Sequence, residues 1–304
     1  MSIFICGGSG YLGSLLANSL CKKYNVIVGT RNRKKINNYN KHIKVKQVNY
    51  YSYNSLEKSV KNIDLIIHLV GMNKADSQKK PKQSLKLKKK VTENLLKLAN
   101  KNNSKVIYFS SIQIYKNFSS KKKINENSET FNADPYSKAH LVAEKILKQS
   151  KKKRNIIILR LSSVFGANIL NTSKELLFTL ANNFCYQAIN NSTILIQNPN
   201  VIRNFLPYSI LIRCINNIIS KHKNRLLIWN LGYKTLSLFE LSELIIKRYK
   251  CKFKKVCSIK TNIAFNKNKK KLKFESNYKT YKFSQKLFIK EIDNLLKFFK
   301  KNYV

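Results

Sequence analysis

The chain has 304 residues, of which 43% are hydrophobic and 11% aromatic. This is enough apolar material for a complete core and too much for a generally disordered protein. No run approaches the roughly 18 consecutive apolar residues of a membrane helix. The opening MSIFICGG also lacks the basic and apolar regions of a signal peptide. The sequence therefore predicts a soluble, cytoplasmic protein without a membrane partner.

Basic residues dominate the charge: 60 Lys and Arg stand against 14 Asp and Glu, a formal net charge of +46. Such a charge alone is typical of nucleic-acid binding proteins. The excess is spread along the whole chain, however, and its longest clusters, LKLKKK, SKKKRN and NKNKKKLK, fall in expected helix faces and loops. This distribution favours solvated surface over a nucleic-acid patch, and it leaves nucleic-acid binding open as an alternative.

The six cysteines do not form a metal-binding pattern. Cys6, Cys21, Cys185 and Cys214 stand singly among apolar residues, and CKFKKVC has neither zinc-type spacing nor a neighbouring histidine. Thiols in such surroundings are usually buried and reduced. The sequence predicts no metal site and no disulfide.

The first 165 residues alternate short apolar runs with amphipathic ones. The apolar runs predict buried strands, rich in Ile and Val, at 3–6, 25–30, 43–48, 63–70, 105–110 and 155–161. The amphipathic segments predict helices at 12–23, 54–61, 84–101 and 136–150. This alternation predicts an α/β fold with a parallel, doubly wound sheet, in which ligands bind at the carboxyl ends of the strands.

The pattern loosens after Gly166. Helices are predicted at 173–186, at 208–220, after the capping-box pair Ser237 and Glu240, and at 283–300. The sequence shows no internal repeat and no linker rich in Pro or Gly. We expect this part of the chain to pack directly against the sheet.

Four of the eight glycines lie in CGGSGYLG, directly after the first predicted strand. Gly7, Gly10 and Gly13 have the spacing G-x-x-G-x-x-G at the start of a helix. Glycine there allows a tight turn, lets the backbone approach a pyrophosphate, and packs the helix close to the strand. The helix N-terminus then offers N–H groups to the phosphates. The placement favours a dinucleotide-binding loop over an ordinary strand–helix turn.

The end of the second strand indicates which dinucleotide binds. Loops that bind NAD usually have an acidic residue there, which holds the ribose 2′-hydroxyl. No Asp or Glu precedes Glu57, and the strand instead ends in GTRNRKK, with Arg31 and Arg33 where a 2′-phosphate would lie. The sequence therefore favours NADP(H) over NAD(H) as cofactor, although acidic residues are scarce throughout the chain.

Five motifs stand in a recognisable order and spacing: GGSGYLG near residue 10, HLVG at 68–71, FSSIQIY at 109–115, DPYSKAHLVAEK at 134–145 and RLSSVFG at 160–166. Together they resemble the extended short-chain dehydrogenases, a family of NAD(P)-dependent nucleotide-sugar epimerases, dehydratases and ketoreductases. The resemblance is good over the first 170 residues and looser beyond them. It implies a dinucleotide-binding Rossmann domain over 1–166 and a substrate-binding region over 167–304, with an approximate boundary that leaves interleaving open. It also implies cofactor contacts at Tyr11, Leu12, Leu69, Val70 and Gly71.

The resemblance implies two catalytic groups. Ser111 matches the family hydroxyl that hydrogen-bonds the reacting oxygen. Tyr136 matches the acid/base that moves a proton while hydride moves to or from the nicotinamide. A free tyrosine has a pKa of about 10, so such catalysis needs a neighbouring cation that favours the phenolate. In the family that cation is a lysine four residues after the tyrosine, on the same helical face, which also holds the nicotinamide ribose.

In this chain the position of the family lysine is occupied by His140. Lys138 leaves a helix on nearly the opposite side from Tyr136, whereas residues i and i+4 share a face. Ala143 and Glu144 match the family's closing AE and leave no room for a two-residue shift. His140 is therefore the predicted partner of Tyr136, either through an imidazolium charge or through a ring N–H that reaches the ribose.

Other departures from the family narrow the reaction. The family's 4,6-dehydratases carry an Asp-Glu pair for water elimination. This chain has Ile112 and Gln113 at the equivalent positions, and this replacement argues against a dehydratase. Ser163 replaces the Asn of the family's R-x-x-N segment. Arg203, in VIRNFLPY, resembles the family arginine that holds a substrate phosphate. Ser163 and Arg203 are the predicted substrate-binding residues.

The leading hypothesis is an NAD(P)-dependent epimerase or ketoreductase that acts on a nucleotide-activated sugar, for cell-surface polysaccharide synthesis. The alternative is a non-catalytic dinucleotide-binding regulatory protein, or an RNA-binding protein, on the same fold. The sequence leaves open the identity of the sugar and the choice between epimerase and reductase. It also leaves the oligomeric state open, a homodimer included.

Overall fold

In the computed structural model, the chain divides into two compact units. The first unit contains Met1–Lys116, Ser128–Arg160 and Ser220–Trp229, and the second contains Asn117–Asn127, Leu161–Ile219 and Asn230–Val304. The structure describes residues 1–32, 39–115, 123–150, 155–167, 179–221, 226–267, 273–276 and 284–303. The domain boundary at residue 166, between a Rossmann domain and a substrate-binding region, stays a prediction.

The main sheet has seven strands in the order β11-β7-β5-β4-β1-β2-β3, numbered along the chain. These strands are β1 (Ser2–Cys6), β2 (Asn25–Thr30), β3 (Ile43–Gln47), β4 (Leu65–His68), β5 (Lys105–Ser111), β7 (Ile156–Leu161) and β11 (Leu227–Leu231). β1 pairs in parallel with both β2 and β4, β2 pairs with β3, and β4 pairs with β5. The predicted α/β fold with a doubly wound parallel sheet is confirmed.

Helices follow the early strands of the sheet. They are α1 (Tyr11–Leu20), α2 (Tyr53–Ser59), α3 (Lys74–Lys79), α4 (Pro81–Asn102) and α5 (Pro135–Lys148). The N-terminus of α5 is well defined by the sequence. Asp134 and Ser137 form a capping box, and Pro135 occupies the first helical position. α4 begins with Pro81 in the same way and ends where Asn103 adopts a left-handed conformation.

Strands buried on both faces form the core of the first unit. Ile3 to Cys6 of β1 and Ile66 and Ile67 of β4 have no solvent exposure. This explains why these strands appear in the sequence as continuous apolar runs rather than as alternating ones. α4 covers the sheet with an apolar stripe at helical spacing, made of Leu87, Val91, Leu95 and Leu98.

The second unit contains shorter strands and four longer helices among its described residues. The strands are β6 (Lys123–Ile124), β8 (Ser163–Phe165), β9 (Thr193–Ile196), β10 (Ile202–Pro207), β12 (Lys234–Ser237), β13 (Ser258–Thr261) and β14 (Lys273–Phe274). The helices are α6 (Leu180–Asn191), α7 (Tyr208–Lys221), α8 (Leu238–Phe253) and α9 (Gln285–Tyr303). Three of the strands form a small sheet in the order β12-β10-β8. In the described parts of the chain, no helix has both the length and the apolar character needed to cross a membrane.

Some predicted elements differ in extent from the observed ones. β4 spans only Leu65–His68, shorter than the predicted 63–70. The helix predicted at 173–186 falls partly on 168–178, outside the described residues, and α6 continues to Asn191, five residues further than predicted. The strand β11 was not predicted, because a five-residue run between polar segments is a weak signal. The capping box of Ser237 and Glu240 at the start of α8 is confirmed.

Candidate active site

The glycine loop (residues 7–13) forms the turn between β1 and α1. Gly7 has a φ of +79°, a conformation that favours glycine. An added Cβ at Gly13 would collide with the backbone of Gly7 and Gly8, so this glycine allows the helix to lie close to the loop. At Gly10, by contrast, an added Cβ would approach only the Gly7 carbonyl oxygen, at 3.5 Å. The open space at Gly10, in front of the first turn of α1, fits a pyrophosphate.

Two tyrosines that sequence reasoning missed hold this loop. The Tyr50 hydroxyl donates to the Gly29 carbonyl oxygen at 2.6 Å and accepts from the Gly7 N–H at 2.8 Å. The Tyr39 hydroxyl donates to the carbonyl oxygen of Gly8 at 2.5 Å. Burial raises the pKa of Tyr50 well above its usual value, so its hydroxyl keeps the proton that it donates. No sequence motif marks these residues, because they reach the loop from distant turns.

The end of β2 carries one of the two arginines predicted to bind a 2′-phosphate. Arg31 is exposed directly after Thr30, the last residue of β2. β1 and β2 pair in parallel with Cys6 opposite Gly29, so Arg31 follows β2 at the same edge of the sheet as the glycine loop. Arg33 lies outside the described residues.

The loop after β4 (Leu69–Gly71) lies beside the glycine loop. The Leu69 N–H donates to the Cys6 carbonyl oxygen at 3.1 Å. A Cβ added to Gly7 would lie 3.2 Å from the backbone nitrogen of Val70. The structure therefore brings together two of the segments from which cofactor contacts are expected, at the carboxyl ends of β1 and β4.

The structure brings Ser111 and Tyr136 together in the first unit. Ser111 ends β5, and Tyr136 lies in the first turn of α5, where the capping box fixes its backbone. Burial raises the pKa of Tyr136, the nearby Ser111 side chain lowers it, and the charge of Asp134 raises it. Among the described residues no cation offsets the effect of burial, so the phenol of Tyr136 stays protonated at neutral pH.

His140 lies one turn after Tyr136 on the buried face of α5, while Lys138 is exposed. The rings of Tyr136 and His140 meet edge to face with centroids 4.5 Å apart. The Tyr108 hydroxyl lies 2.7 Å from Nδ1 of His140. Burial holds the pKa of His140 well below its usual value, and the charge of Lys88 adds to this effect. The imidazole is thus neutral at neutral pH, which leaves the ring N–H rather than an imidazolium charge as the means by which His140 could act.

Lys88, from the cluster LKLKKK, belongs to this group of residues and was missed by sequence reasoning. Only 4% of its surface is exposed, so the expectation that the cluster forms solvated surface is wrong at this position. Its Nζ donates to the Val70 carbonyl oxygen at 2.7 Å and lies 5.4 Å from the centroid of the Tyr108 ring. Burial lowers the pKa of Lys88 to about 7.

A buried ion pair anchors α5 to the sheet one turn after His140. Glu144 accepts hydrogen bonds from Arg160 Nε at 3.0 Å and Arg160 Nη2 at 2.8 Å. The Ser110 hydroxyl donates to the same carboxylate at 2.7 Å. Because Ser110 precedes Ser111 on β5, this network fixes the helix that carries Tyr136 relative to the strand that carries Ser111.

The predicted substrate-binding residues lie on neighbouring strands of the second unit. β8 and β10 run parallel and pair Ser163 with Phe205. Arg203 lies two residues before Phe205, so the side chains of Ser163 and Arg203 share one face of the small sheet. Arg203 is partly buried, its Nη1 donates to the carbonyl oxygen of Ile202, and burial lowers its pKa.

The cysteines are free thiols with different degrees of exposure. Cys6, Cys185, Cys214 and Cys257 are buried, and Cys251 is exposed. Burial raises the pKa of Cys6, beside the glycine loop, so this thiol is protonated at neutral pH. In the described parts of the chain, no group of three or more His, Cys, Asp or Glu residues could hold a metal ion.

The motifs and their geometry agree with a comparison against known protein families. Residues 3–232 match the model of the NAD dependent epimerase/dehydratase family. The chain belongs to this family. The resemblance to extended short-chain dehydrogenases is thereby confirmed, and the family's cofactor is NAD. No curated protein matches the chain.

Solved structures of this family share the fold over the whole chain. A UDP-glucose 4-epimerase from Thermotoga maritima is 18% identical, with a TM-score of 0.78 and 100% of both chains covered. A UDP-glucose 4-epimerase from Bifidobacterium longum, solved with NAD+ and UDP, is 19% identical, with a TM-score of 0.77 and 99% of both chains covered. A dTDP-glucose 4,6-dehydratase from Bacillus anthracis is 15% identical, with a TM-score of 0.78, covering 100% of this chain and 97% of that one. At these identities, the likeness concerns the fold.

Proposed function

We propose that the protein is an NAD(P)-dependent epimerase or ketoreductase that acts on a nucleotide-activated sugar. The observation that carries the proposal is the proximity of the Ser111 hydroxyl, at the carboxyl end of β5, to the phenol of Tyr136, whose pKa it lowers. Both residues belong to the unit that contains the glycine loop. In parallel α/β sheets, ligands bind at this edge, so a hydroxyl pair here is well placed for proton transfer.

The chemistry divides between the cofactor and the side chains. A bound nicotinamide dinucleotide supplies the acceptor and the donor of hydride. Tyr136, as phenolate, takes the proton of a sugar hydroxyl as its carbon becomes a carbonyl, and it returns the proton when the carbonyl is reduced. Ser111 donates a hydrogen bond to the same sugar oxygen and holds it near Tyr136. In an epimerase the same proton is taken and returned, so no net proton is exchanged with water; in a ketoreductase Tyr136 gives up one proton per turnover and regains it from water.

The charge at the end of β2 supports NADP(H) as the preferred form of the cofactor. Arg31 is exposed there, at the edge of the sheet that carries the glycine loop, and no carboxylate precedes Glu57 in the sequence. A guanidinium can bind a 2′-phosphate through two hydrogen bonds, whereas NAD offers it only a neutral hydroxyl. The positive charge of Arg31 therefore favours NADP(H), while the glycine loop can bind the pyrophosphate of either NAD(H) or NADP(H).

The turn after Ser111 supports an epimerase or a reductase over a 4,6-dehydratase. Ile112 is buried and apolar, and Gln113 is exposed with its Oε1 3.3 Å from Lys74 Nζ. Water elimination needs a general acid and a general base at the sugar, and neither side chain can exchange a proton at neutral pH. Hydride transfer with one acid/base needs only Tyr136.

The polar side chains of the second unit are best suited to bind the diphosphate group of a nucleotide-activated sugar. Arg203 and Ser163 share one face of the β8–β10 pair and would offer a guanidinium and a hydroxyl to phosphate oxygens. The named relatives of known structure act on UDP-sugars and dTDP-glucose, which supports a nucleotide-activated sugar as the substrate class.

Ligand-dependent stabilisation tests this proposal. The purified protein is heated with NAD+ or NADP+ and with a panel of UDP- and dTDP-sugars, and the unfolding midpoint is measured. Ligands stabilise the native state by mass action, so a dinucleotide and at least one nucleotide sugar should each raise the midpoint. Free UDP and free hexose serve as controls for the two halves of the substrate. A protein stabilised by neither dinucleotide would not be the proposed enzyme.

A further inference from the structure

The exposed side of α4 carries a row of lysines that the proposed function does not use. α4 contains seven lysines and one glutamate among its 22 residues. Four exposed lysines in its N-terminal half form the row, here called the lysine face: Lys82, Lys86, Lys89 and Lys90. They follow one another at spacings of three and four residues, so they share one side of the helix. The apolar stripe of α4 lies on the other side, against the sheet.

The lysine face lacks counter-charges. Among the residues whose structure is described, no carboxylate lies within ion-pair distance of any of its four lysines. The C-terminal half of the same helix differs, because Lys101 pairs with Glu57 at 2.7 Å and Lys97 Nζ lies 4.1 Å from the centroid of the Tyr53 ring. The lysine face is therefore a local concentration of positive charge that the described residues leave uncompensated.

This concentration of charge works against the stability of α4. Lys80 and Lys82 flank Pro81 at the start of the helix, and no acidic residue lies in the first turn. The N-terminus of a helix already carries a partial positive charge, so cations are unfavourable there. Lysines four residues apart also repel one another. An anionic partner would remove both unfavourable interactions, whereas salt only screens them.

An open groove of about 710 Å³ lies along the lysine face and contains an aromatic ring. The residues that line the groove are Tyr51, Gln83, Lys86, Lys89, Lys90 and Glu93. Tyr51 is 38% exposed, and its N–H donates to Asn49 Oδ1 at 3.0 Å. Asn94 of α4 donates to the carbonyl oxygen of Tyr50 at 3.0 Å and so ties this turn to the helix. The turn thus holds an exposed aromatic ring beside three lysines and one glutamate.

Lysines beside an exposed aromatic ring fit a single-stranded nucleic acid better than other anions. The phosphates of such a strand bind cations, and its unpaired bases stack on aromatic side chains. In a duplex the bases stack on one another, so Tyr51 would have no base to bind. Helices that bind membranes carry large apolar side chains beside their lysines, and α4 has no exposed side chain of that kind. An acidic polysaccharide has charges but no bases, which leaves Tyr51 without a role.

We propose that the lysine face and Tyr51 bind a single-stranded nucleic acid, with the lysines on its phosphates and the Tyr51 ring stacked on a base. RNA and single-stranded DNA share this chemistry. The activity is additional to the proposed sugar chemistry and uses none of its residues. Lys88, on the same helix, is not part of the surface, because its Nζ faces the Val70 carbonyl oxygen.

Fluorescence anisotropy of labelled oligouridine and oligothymidine, each of about 12 nucleotides, tests the proposal on the full chain. Affinity is measured at several KCl concentrations, because phosphate contacts make log K fall linearly with log salt concentration. One variant changes all four lysines of the lysine face to Gln, and Tyr51→Leu removes the aromatic ring. The matched control changes four exposed lysines of α9 to Gln and so removes the same charge: Lys286, Lys290, Lys297 and Lys300.

At least one of the two strands should bind the original protein. Changing the lysine face should reduce the slope of log K against log salt concentration by about 3, because each phosphate contact on a single strand contributes about 0.7. Tyr51→Leu should lower affinity by about fivefold or more at every salt concentration without changing the slope. The α9 variant should stay within about threefold of the original protein. Equal losses in the two lysine variants, or no binding of either strand, would overturn the proposal.

Three further measurements locate the bound strand. The unfolding midpoint of the lysine-face variant should not fall, since like charges have been removed. Excess NADP+ should leave the strand bound, and displacement would place the strand at the glycine loop and overturn the proposed site. A duplex of the same length should bind more weakly than the single strand. A duplex bound equally well, or vesicles containing phosphatidylserine bound through the lysine face more tightly than either strand, would overturn the choice of partner.

Discussion

The hydroxyl of Tyr108 lies 2.7 Å from Nδ1 of His140, and both groups are buried. This contact holds Nδ1 of the imidazole ring one helical turn after Tyr136. Burial and the charge of Lys88 hold the pKa of the ring well below its usual value, so the imidazole is neutral at neutral pH. We propose that the nitrogen not held by Tyr108, Nε2, is the one that binds a ribose hydroxyl of the cofactor.

Substitution of His140 should weaken the cofactor complex. His140→Ala removes one hydrogen bond to the ribose and the edge contact with Tyr136, so the dissociation constant of the dinucleotide should rise by about tenfold. Turnover should fall as well, because the Tyr136 ring loses its neighbour. Calorimetry measures the first effect and steady-state kinetics the second.

The control for His140 is Lys138→Ala, on the exposed side of the same helix, which should change neither constant by more than about twofold. Since the pKa of His140 is held well below its usual value, loss of activity should not follow the pH through about 6.5. An alanine variant with unchanged dinucleotide affinity would show that His140 is a packing residue.

The two ends of the glycine loop should respond differently to a side chain. Gly10→Val should raise the dissociation constant of the dinucleotide by about a hundredfold or more, because the branched side chain fills the space of the pyrophosphate. The backbone at Gly10 is extended and its surroundings are open, so folding should be unaffected. Gly13→Ala collides with the backbone of Gly7 and should reduce the free energy of unfolding by about 1 to 3 kcal/mol.

These two variants are compared by thermal unfolding and by dinucleotide titration. Normal dinucleotide binding by a folded Gly10→Val protein would mean that the pyrophosphate does not bind in front of α1.

Glu144→Gln should destabilise the first unit strongly. The substitution leaves Arg160 buried without a counter-charge and should cost about 3 to 5 kcal/mol in the free energy of unfolding. Burial alone would raise the pKa of Glu144, but the hydrogen bonds and charge of Arg160 bring it below the usual value. A carboxylate with a lowered pKa contributes stability above its unfolded pKa of about 4.3, and this stability is lost as the pH falls through the folded value.

Chemical denaturation of Glu144→Gln at several pH values measures this contribution. The difference from the original protein should shrink in acid, where both proteins have lost the carboxylate. Glu57→Gln breaks an exposed pair with Lys101 and serves as the control, with no measurable loss expected. Equal stability of Glu144→Gln and the original protein at neutral pH would contradict the anchoring role.

The cofactor preference should depend on Arg31. Arg31→Ala should reduce the ratio of the NAD to NADP dissociation constants by about tenfold, because the 2′-phosphate loses a charged partner. The effect should be greatest at low ionic strength. Lys44→Ala removes an exposed cation from β3 and should leave the ratio unchanged. Equal binding of both dinucleotides by the original protein would show that the arginine does not select the cofactor.

Much of the fold could be predicted from local sequence signals. The strands from Ile3 to Cys6 and from Asn25 to Thr30 are continuous apolar runs because both faces of a parallel sheet are covered. Strands such as β8 and β12 have only three or four residues, which is too short for a periodic pattern. Their pairing depends on contacts between distant segments, and no local signal encodes it.

The site could be predicted only where a motif carries it. Gly7, Ser111 and Tyr136 stand in motifs with fixed spacing. Lys88 lies in a run of lysines on a long amphipathic helix, and composition cannot distinguish the one buried ammonium from its exposed neighbours. The signal that could have found it is its position three residues before Val91 and four before Thr92, on the edge of the apolar stripe of α4. Tyr50 reaches the glycine loop from a turn after β3, which only the tertiary structure shows.

Conversion of a nucleotide sugar by the original protein and by Tyr136→Phe tests the central claim most directly. UDP-glucose, UDP-N-acetylglucosamine and dTDP-glucose are incubated with each protein and either dinucleotide, and the configuration of every sugar carbon is followed by proton NMR. The proposal predicts that the original protein inverts or reduces a sugar carbon. It also predicts that Tyr136→Phe binds the dinucleotide normally but loses activity by about a hundredfold or more, because the proton has no acid/base. Equal activity of Tyr136→Phe and the original protein, or no change in any sugar by a protein that binds both ligands, would contradict it.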